Sequence, residues 1–465
     1  MRRSHVWLAA GGLVAAIAAP GPLVAQGFSV NEHSTCAMGR AGTGAAMPCP
    51  DGSAMAFNPA GLASLEKGHG IVTANATLIA ARGGFTNAST GFKDDLNDNN
   101  YFVPAAYVGY GITENIAAGL GLFAPYGLTT EWPTNSQARF LGYKSHIQAI
   151  YLQPTVAAKL GEYLKVGAGF DINFFSVELR QHLDLADVEL PPNPLVPPGT
   201  TFGNLGIPAG TDFASSKLTG NATGVGYHLG VLIKATDKLS FGVKYLSRQK
   251  VTIDDGKATF SQIPTGLVVA PGSPFTQLGL PPGASLDQFL LAPQFQADSA
   301  LSQQKVKTAV RLPEQWSVAL AYQMTPALVL LFDYNRQNWD VFESLPFDFQ
   351  IAPDQSLPEN FQATDTFRFG ADYRLGTSSN IRIGYLSHNA ASPDETVTPN
   401  LPEASRSEFT AGFGTTFAQH FHVDLAYQYI DQADRSGRTS PAGTPNNGLY
   451  EFYAHLFGAS LSYQF

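Results

Sequence analysis

The strongest constraint on the fold is a repeat of short alternating segments along most of the chain. From about residue 70 onward, runs of roughly ten residues alternate between apolar and polar or small side chains, as a β-strand with two different faces requires. Runs that begin at Phe367 and Phe421 show the pattern clearly. In the last run, the apolar side carries Phe457, Ala459, Leu461, Tyr463 and Phe465. The pattern predicts a chain built mainly from strands.

The connections between these runs fall into two length classes. Very short turns are predicted at residues 113–115, 161–163, 236–238, 325–326, 376–380 and 418–420. Long polar or proline-rich connections are predicted at residues 82–100, 184–219, 261–304, 343–362, 391–403 and 433–448. A soluble β-sandwich also alternates, but it rarely contains so many long structureless loops. Short turns on one rim and long loops on the other are typical of outer-membrane barrels.

The alternating runs number about fourteen, and an even number is what single-chain bacterial barrels have. Their predicted starts are Ile71, Tyr101, Ile116, His146, Leu164, Asn221, Leu239, Val306, Ala327, Ala363, Ile381, Ser405, Phe421 and Leu449. Only 14% of the residues are charged, against about 25% in ordinary soluble domains. We therefore predict an all-β fold, a transmembrane antiparallel β-barrel formed by residues 69–465.

The N-terminus has the features of an export signal. Arg2 and Arg3 precede an apolar segment at residues 6–17, and small residues lead to a cleavage site before Gln26. An anchoring helix is the alternative, but it needs about 20 uninterrupted apolar residues, and glycines and prolines interrupt this segment. We predict a signal peptide at residues 1–25 and localisation in the bacterial outer membrane.

Residues 26–68 lack the alternation and are rich in small side chains. A wide barrel leaves its lumen open or fills it, and small residues pack closely in a confined space. We expect a hatch that plugs the lumen, with a disordered periplasmic tail as the alternative. The only two cysteines, Cys36 and Cys49, are expected to form a disulfide, because exported chains meet an oxidising compartment and two sulfurs alone make a poor zinc site.

Several stretches share an order and spacing with a known group of proteins. They are "GFSVNEHS" from Gly27, "MGRAGTG" from Met38, "FNPAGL" from Phe57, "ARFLGYKSHIQAIYLQPTVAAKL" from Ala138, "LPEQWSVALAYQMT" from Leu312, "NWDVF" from Asn338 and "RIGYLSHN" from Arg382. Together they resemble the FadL family of outer-membrane long-chain fatty-acid and hydrocarbon transporters over the whole mature chain. The cysteine pair departs from the pattern of the best-known member of that family.

The resemblance implies a monomeric barrel that a hatch plugs. It implies that the long third and fourth external loops capture a hydrophobic molecule, such as a fatty acid or related hydrocarbon. The molecule would pass to an internal pocket reached by Phe28 and leave through a gap in the wall beside a kinked third strand. The third strand is predicted at residues 116–125, and its glycines and Pro125 would weaken its ladder, although such residues are also routine at a barrel bend. The hatch and gate residues expected on this basis are Asn58, Pro59, Ala60, Gly119 and Gly121.

The loop at residues 261–304 carries many apolar side chains, and an exposed apolar patch usually marks a binding surface. We expect ligand binding by Leu267, Phe275, Phe289 and Phe295, with packing of the loop onto the rim as the alternative. A fatty acid would also need a cation, whereas an aromatic hydrocarbon would need none. The candidate cations, each predicted on the polar side of its strand, are Lys244, Arg311, Arg368, Arg374 and Arg382.

Other functions fit the sequence less well. A porin for polar solutes would need an unplugged lumen lined by charge. An enzyme would need a catalytic motif, and none of GxSxG, HExxH, CxxC or GxxxxGK[ST] occurs, so we expect neither catalysis nor a cofactor or metal site. The chain has 28 basic against 37 acidic residues, which argues against nucleic acid as a partner. We expect contact with outer-membrane lipid and lipopolysaccharide instead.

Overall fold

The structure is a computed structural model that describes residues 27–190, 194–437 and 446–465. The predicted signal peptide lies outside these ranges. Fourteen antiparallel strands form one closed barrel, as the sequence predicted. They are β1 (Gly70–Asn87), β2 (Asn100–Gly111), β3 (Ile116–Glu131), β4 (Lys144–Leu160), β5 (Leu164–Asp184), β6 (Asp212–Lys234), β7 (Leu239–Leu246 and Gln249–Gln262), β8 (Gln304–Leu312 and Gln315–Gln323), β9 (Leu328–Gln337), β10 (Thr364–Leu375), β11 (Ser379–His388), β12 (Arg406–Phe417), β13 (Phe421–Gln432) and β14 (Gly448–Gln464).

The first and last strands close the barrel. β1 pairs with β14 along its length, from Ile71 opposite Gln464 to Asn87 opposite Gly448. The N–H of the terminal residue Phe465 donates to the carbonyl of Gly70 at 3.0 Å. Because each backbone group in a bilayer needs a partner, closure removes the two exposed edges that an open sheet would have.

The two faces of the barrel differ in polarity, as the alternation predicted. In β14 the apolar side chains Phe457 and Leu461 are exposed on the outside, whereas Ser460 and Ser462 are buried on the inside. In β10 Phe367 is likewise exposed. An apolar exterior and a polar interior are what a barrel dissolved in lipid requires. Within the described residues, the helices are all too short or too polar to cross a bilayer.

Two loop boundaries differ from the prediction. The sixth strand begins at Asp212 and not near Asn221, because the ladder between β5 and β6 continues upward as far as the pairing of Asp184 with Asp212. Small and polar residues fill this part of β6, so its alternation is weak in the sequence. The connection between β3 and β4, at residues 132–143, is a further long loop that the sequence analysis did not separate from its neighbouring strands.

The remaining elements are short. The helices lie at Thr35–Met38, Ala54–Phe57, Pro59–Ser64, Gln137–Phe140, Leu185–Asp187, Gly203–Leu205, Pro274–Gln277, Asp287–Leu291, Ala292–Phe295 and Trp339–Val341. Four small strands extend the barrel on its long-loop side, at Lys93–Asp95, Ser344–Phe349, Gln355–Pro358 and Arg435–Gly437.

Candidate functional site

The N-terminal segment, residues 27–69, folds inside the barrel. The backbone N–H of Ala41 donates to the Thr410 hydroxyl of β12 at 2.9 Å. On another side of the lumen, Asn58 Nδ2 donates to the Val231 carbonyl of β6 at 3.0 Å. The segment therefore spans the bore from one wall to another.

Glycines of the wall allow this close fit. A Cβ atom added to Gly384 would lie 2.5 Å from the backbone nitrogen of Ala41, and one added to Gly412 would lie 2.8 Å from the Cα of Gly39. Real side chains essentially never approach so closely. The N-terminal segment and the wall thus pack backbone against backbone, and the sequence analysis had recognised the small residues on only one side of this contact.

Buried charges fasten the segment to β9 and β10. Asp333 of β9 accepts hydrogen bonds from the backbone N–H groups of Gly44 and Ala45, each at 2.9 Å. Arg40 lies 3.5 Å from Asp372 of β10, and both side chains are buried. A buried charge is costly unless it is paired or hydrogen-bonded, so displacing the segment would leave these groups without partners.

Cys36 and Cys49 are joined by a disulfide that closes one part of the N-terminal segment, with their Cα atoms 6.2 Å apart. Together with Asp51 they form the one group of three possible metal ligands within the described residues. Because each sulfur is bonded to the other, this group offers a metal ion only a carboxylate.

The Asn58, Pro59, Ala60 triplet lies against β5 and β6. A Cβ atom on Gly167 of β5 would collide with the backbone of Pro59, so the turn touches the wall directly. Asn58 is the N-cap of the helix that follows, and its Oδ1 accepts a hydrogen bond from the Ala60 N–H at 3.2 Å. The resemblance placed this turn near the wall gap, but none of the three residues lines the cavity at that gap.

The wall opens between β2 and β3. Their ladder runs from Gly111 opposite Ala117 to Ala106 opposite Leu122, and it stops there. Beyond this pair β2 continues to pair with β1, and β3 continues to pair with β4. In these described strands, residues 100–105 of β2 do not pair with residues 123–131 of β3. A lateral gap therefore lies between the two segments.

A bulge in β3 produces this gap. Phe123 pairs with Tyr151 of β4, and Tyr126 pairs with Ala149, so Ala124 and Pro125 together occupy the space opposite one residue of β4. Phe123 and Tyr126 are both buried although they are three positions apart. A bulge bends its strand, and proline cannot donate to a ladder, so β3 turns away from β2 here.

The N-terminal segment occupies the edge that β3 presents at the gap. The N–H of Val30 donates to the carbonyl of Pro125 at 2.8 Å, and the N–H of Gly127 donates to the carbonyl of Phe28 at 2.9 Å. These bonds replace part of the ladder that β2 would otherwise make. Residues 28–30 therefore act as a short substitute strand on the inner side of the opening.

The predicted gate glycines lie below the gap. Gly119 pairs with Gly109, and Gly121 pairs with Tyr107, both within the continuous part of the ladder. The residues that shape the gap are those of the bulge, and of the three ladder-weakening residues that the sequence indicated in this strand only Pro125 belongs to it.

A cavity of about 600 Å³ lies at the gap. Val30 of the N-terminal segment, Ala105 and Phe123 line it on the inside. Its lining continues to Phe102 and Leu122, whose side chains are exposed on the lipid-facing exterior. The cavity thus connects the lumen with the outside of the barrel at the level of the membrane.

Phe28 is buried in an aromatic cage beside this cavity. Its ring centroid lies 4.5 Å from that of Trp339, 5.9 Å from Phe342 and 6.2 Å from Tyr126. Phe342 also lines a second, apolar cavity of about 30 Å³ in the upper barrel. The sequence analysis predicted Phe28 but missed its ring partners, although Trp339 and Phe342 lie in the quoted stretch "NWDVF".

Three of the predicted loop residues come together in an external apolar cluster. Phe275 is buried there, and Leu267 and Phe295 pack against the cluster. The loop at residues 185–211, which is the third long loop once the loop at 132–143 is counted, contributes Phe202, whose ring lies 6.2 Å from that of Phe275. Phe289 is 55% exposed and stays outside the cluster. The third and fourth long loops therefore form one apolar body above the barrel.

Three of the five candidate cations have other positions or partners. Arg311 was expected on the lumenal side, but it alternates with buried Val310 and Leu312 and faces outward. Arg382 contacts the carboxylates of Asp372 and Asp424. The third is Arg374, in the β10–β11 hairpin, which donates at 2.7 Å to the carbonyl of Pro326 in the neighbouring short turn.

Lys244 and Arg368 line one small polar cavity of about 20 Å³ in the lumen. Val30 and Phe123 separate it from the large cavity at the gap, since both residues line both spaces. Arg368 donates to the carbonyl of Gly42 at 3.0 Å. In the part of the chain that the structure describes, neither Lys244 nor Arg368 makes an ion pair.

Comparisons with known proteins agree with this architecture. The family model described as "Outer membrane protein transport protein (OMPP1/FadL/TodX)" matches residues 15–465. Outer membrane protein P1 of Haemophilus influenzae is 22% identical over 97% of this chain and 98% of its own length. The long-chain fatty acid transport protein of Escherichia coli K12 is 22% identical over 94% of each chain.

Solved structures share the fold. A Pseudomonas aeruginosa FadL homologue superposes with a TM-score of 0.75 at 20% identity, covering 94% of this chain and 99% of its own. The Pseudomonas putida toluene transporter TodX gives a TM-score of 0.63 at 17% identity, covering 95% and 99%. With a family match over nearly the whole sequence and a closed barrel, this chain belongs to the OMPP1/FadL/TodX family of outer-membrane transport proteins.

Proposed function

We propose that the protein takes up hydrophobic molecules by passive diffusion and releases them sideways into the outer membrane. The external apolar cluster captures the molecule, which then passes the aromatic cage around Phe28 and leaves through the gap between β2 and β3. The observation that carries the proposal is the cavity of about 600 Å³ whose lining runs from the lumen to the lipid-facing Phe102 and Leu122.

Burial of apolar surface is sufficient to drive capture. Moving an alkyl chain out of water gains about 0.8 kcal/mol for each CH₂ group, so an apolar route needs no energy source. The external cluster, the small cavity lined by Phe342 and the cage of Phe28 provide apolar surfaces in succession. Exit into the bilayer completes the transfer without exposing the molecule to water.

The N-terminal segment serves in this proposal as a plug with one movable part. Its middle is held by the Asp333 and Asp372 contacts and by the disulfide, so it stays in the bore. Residues 28–30 are held by two backbone bonds to β3 at the gap, by the hydrogen bond from Ser29 to Gln337 and by the cage around Phe28. Withdrawal of Phe28 from its cage would open the way to the gap and leave the rest of the plug in place.

The head group of the substrate separates two candidate classes. One relative is named a long-chain fatty acid transport protein and another structure is named a toluene transporter. A carboxylate needs a cation, and Lys244, which lacks an ion-pair partner among the described residues, can supply one from the lumenal wall. We propose a fatty acid or similar long-chain acid as the substrate, with a neutral aromatic hydrocarbon as the second candidate.

Uptake assays in cells that lack their own transporter test this proposal. Cells that express the protein should accumulate a labelled long-chain fatty acid faster than cells with the empty vector. Faster uptake of labelled toluene alone would favour the second candidate. Large, steady single-channel currents from the intact protein in planar bilayers would instead indicate a porin for polar solutes and would contradict the plugged pathway.

A further inference from the structure

The outer surface of β7 and β8 changes from apolar to basic at a sharp boundary. Tyr245 and Trp316, whose ring centroids are 4.5 Å apart, lie at the top of a lipid-facing apolar band. Aromatic side chains at such a position mark the interface between hydrocarbon and head groups. Above this band the upper segments of β7 and β8, at residues 249–262 and 304–312, pair with each other. Their first outward-facing residues are Lys250 and Arg311.

Lys250 and Arg311 are direct cross-strand partners. Both are exposed on the exterior, because the residues on either side of Arg311, Val310 and Leu312, are buried in the lumen, as is Val251 beside Lys250. Like charges directly opposite each other destabilise a sheet. Within the described residues neither cation contacts a carboxylate, so no described side chain compensates the repulsion.

Two other cations on this face are paired, whereas Lys257 and Lys307 make no ion pair among the described residues. Arg248 lies 3.6 Å from Glu314, and Lys305 lies 2.7 Å from Asp255. Around the rim Arg180 lies 2.8 Å from Glu178. Residues 247–258 and 304–314 together contain six basic and three acidic residues, whereas the whole chain has a net charge of −9. This face therefore carries an excess of positive charge, and the Lys250–Arg311 pair is the part of it that lies directly above the aromatic band.

We propose that Lys250 and Arg311 bind a phosphate group of lipopolysaccharide in the outer leaflet. Their height fits this ligand, because phosphates of the leaflet lie directly above the acyl chains, where the aromatic band of Tyr245 and Trp316 ends. A guanidinium forms two parallel bonds to a phosphate, and an ammonium adds a point charge beside it. A dianionic phosphate between the two cations also removes the repulsion that the pair creates.

The test compares lipid binding by purified protein in detergent. Native mass spectrometry should detect one tightly held lipopolysaccharide molecule on the wild-type barrel. In the double variant K250Q/R311Q the affinity should fall about 30-fold, as expected from the loss of two interfacial cations. The matched control is Lys238→Gln in a short turn on the opposite rim, and it should bind like the wild type.

Lipid chemistry provides a second, independent arm that needs no variant. Lipopolysaccharide from which the lipid A phosphates have been removed should bind the wild type as weakly as intact lipopolysaccharide binds the double variant. Heat-modified mobility in gels verifies that each barrel is folded. Equal affinity of wild type and double variant for intact lipopolysaccharide, or equal affinity of wild type for the two lipids, would overturn the proposal.

Discussion

Ala106 and Leu122 form the last cross-strand pair between β2 and β3, and the barrel wall opens directly above them. Backbone groups that lose a ladder partner in a membrane must find another, because lipid cannot supply one. Here the N-terminal segment supplies it through Val30 and Phe28, which bond to Pro125 and Gly127. These two bonds therefore stabilise the edge of the opening, and in the proposed pathway they also control access to it.

The aromatic cage predicts the effect of truncating Phe28. Phe28→Ala removes a ring that contacts Trp339, Phe342 and Tyr126, and with it one wall of the aromatic cage that the substrate passes in the proposed pathway. Loss of an aromatic contact of this size is expected to lower ligand affinity about tenfold or more. Equilibrium binding of a fluorescent fatty acid measures it. The lipid-facing variant Phe413→Ala is the control and should bind normally; equal affinity in both variants would contradict the role of Phe28.

Lys244 predicts which head group the lumen accepts. Lys244→Gln keeps a polar side chain but removes the charge, and a charge-assisted hydrogen bond contributes about 1.5 to 3 kcal/mol. Fatty-acid binding should therefore weaken about tenfold to a hundredfold, while toluene binding should not change. Arg374→Gln, at a short turn outside the lumenal cavities, is the control. If Lys244→Gln weakened the binding of both ligands equally, the side chain would be structural and not a head-group partner.

The disulfide predicts the behaviour of the plug. Its cysteines are 13 positions apart, and a cross-link of this span is expected to contribute about 3 kcal/mol of stability. In C36S/C49S, amide hydrogen exchange should accelerate within residues 36–49, whereas the strands of the barrel should keep their protection. Mass spectrometry of the mature wild type should find no free thiol; two free thiols would refute the bond.

His33 predicts a pH dependence of the plug. Burial lowers the pKa of His33 to about 3, with the charges of Lys244 and Arg368 acting in the same direction. The ring stacks between Phe57 and Phe123, at centroid distances of 4.9 and 4.7 Å. Because the unfolded segment binds this proton near its ordinary value of 6.5, the contribution of His33 is present above that pH and is lost as the pH falls toward 3.

Hydrogen exchange of the plug at pH 7.5 and pH 5 checks this expectation. The wild-type segment should lose protection at the lower pH, and His33→Phe, which keeps the ring but cannot titrate, should lose less. Burial raises the pKa of neighbouring Glu32, an opposite effect that both proteins share, so their difference reports His33 alone. The same loss of protection in both proteins would assign the pH effect to another group.

The sequence was sufficient to predict the barrel, because a lipid-facing exterior requires apolar and polar side chains to alternate along every strand. It indicated the strand number, the apolar exterior and the small residues near Gly39 that pack in the bore. The sequence placed Arg311 on the wrong side of its strand. Above the aromatic band both faces of a strand can carry polar residues, so the alternation no longer distinguishes an outward cation from a lumenal one. The gap was harder to locate, since Gly119 and Gly121 are as compatible with a weak ladder as Pro125, and only the register shows which one interrupts it.

The most direct test of the lateral pathway is the removal of the bulge. Deletion of Pro125 leaves Ala124 as the single residue opposite Ile150 of β4 and restores a normal alternation between the buried Phe123 and Tyr126. β3 can then continue its ladder with β2 beyond Leu122 and close the gap. Pro154→Ala, in β4 outside the gap, is the matched control.

Fatty-acid uptake by cells that express equal amounts of folded protein gives the answer. The pathway predicts that deletion of Pro125 reduces uptake to the level of cells with the empty vector, while Pro154→Ala retains the wild-type rate. A folded deletion variant that takes up fatty acid at the wild-type rate would show that the molecule does not leave through the gap between β2 and β3.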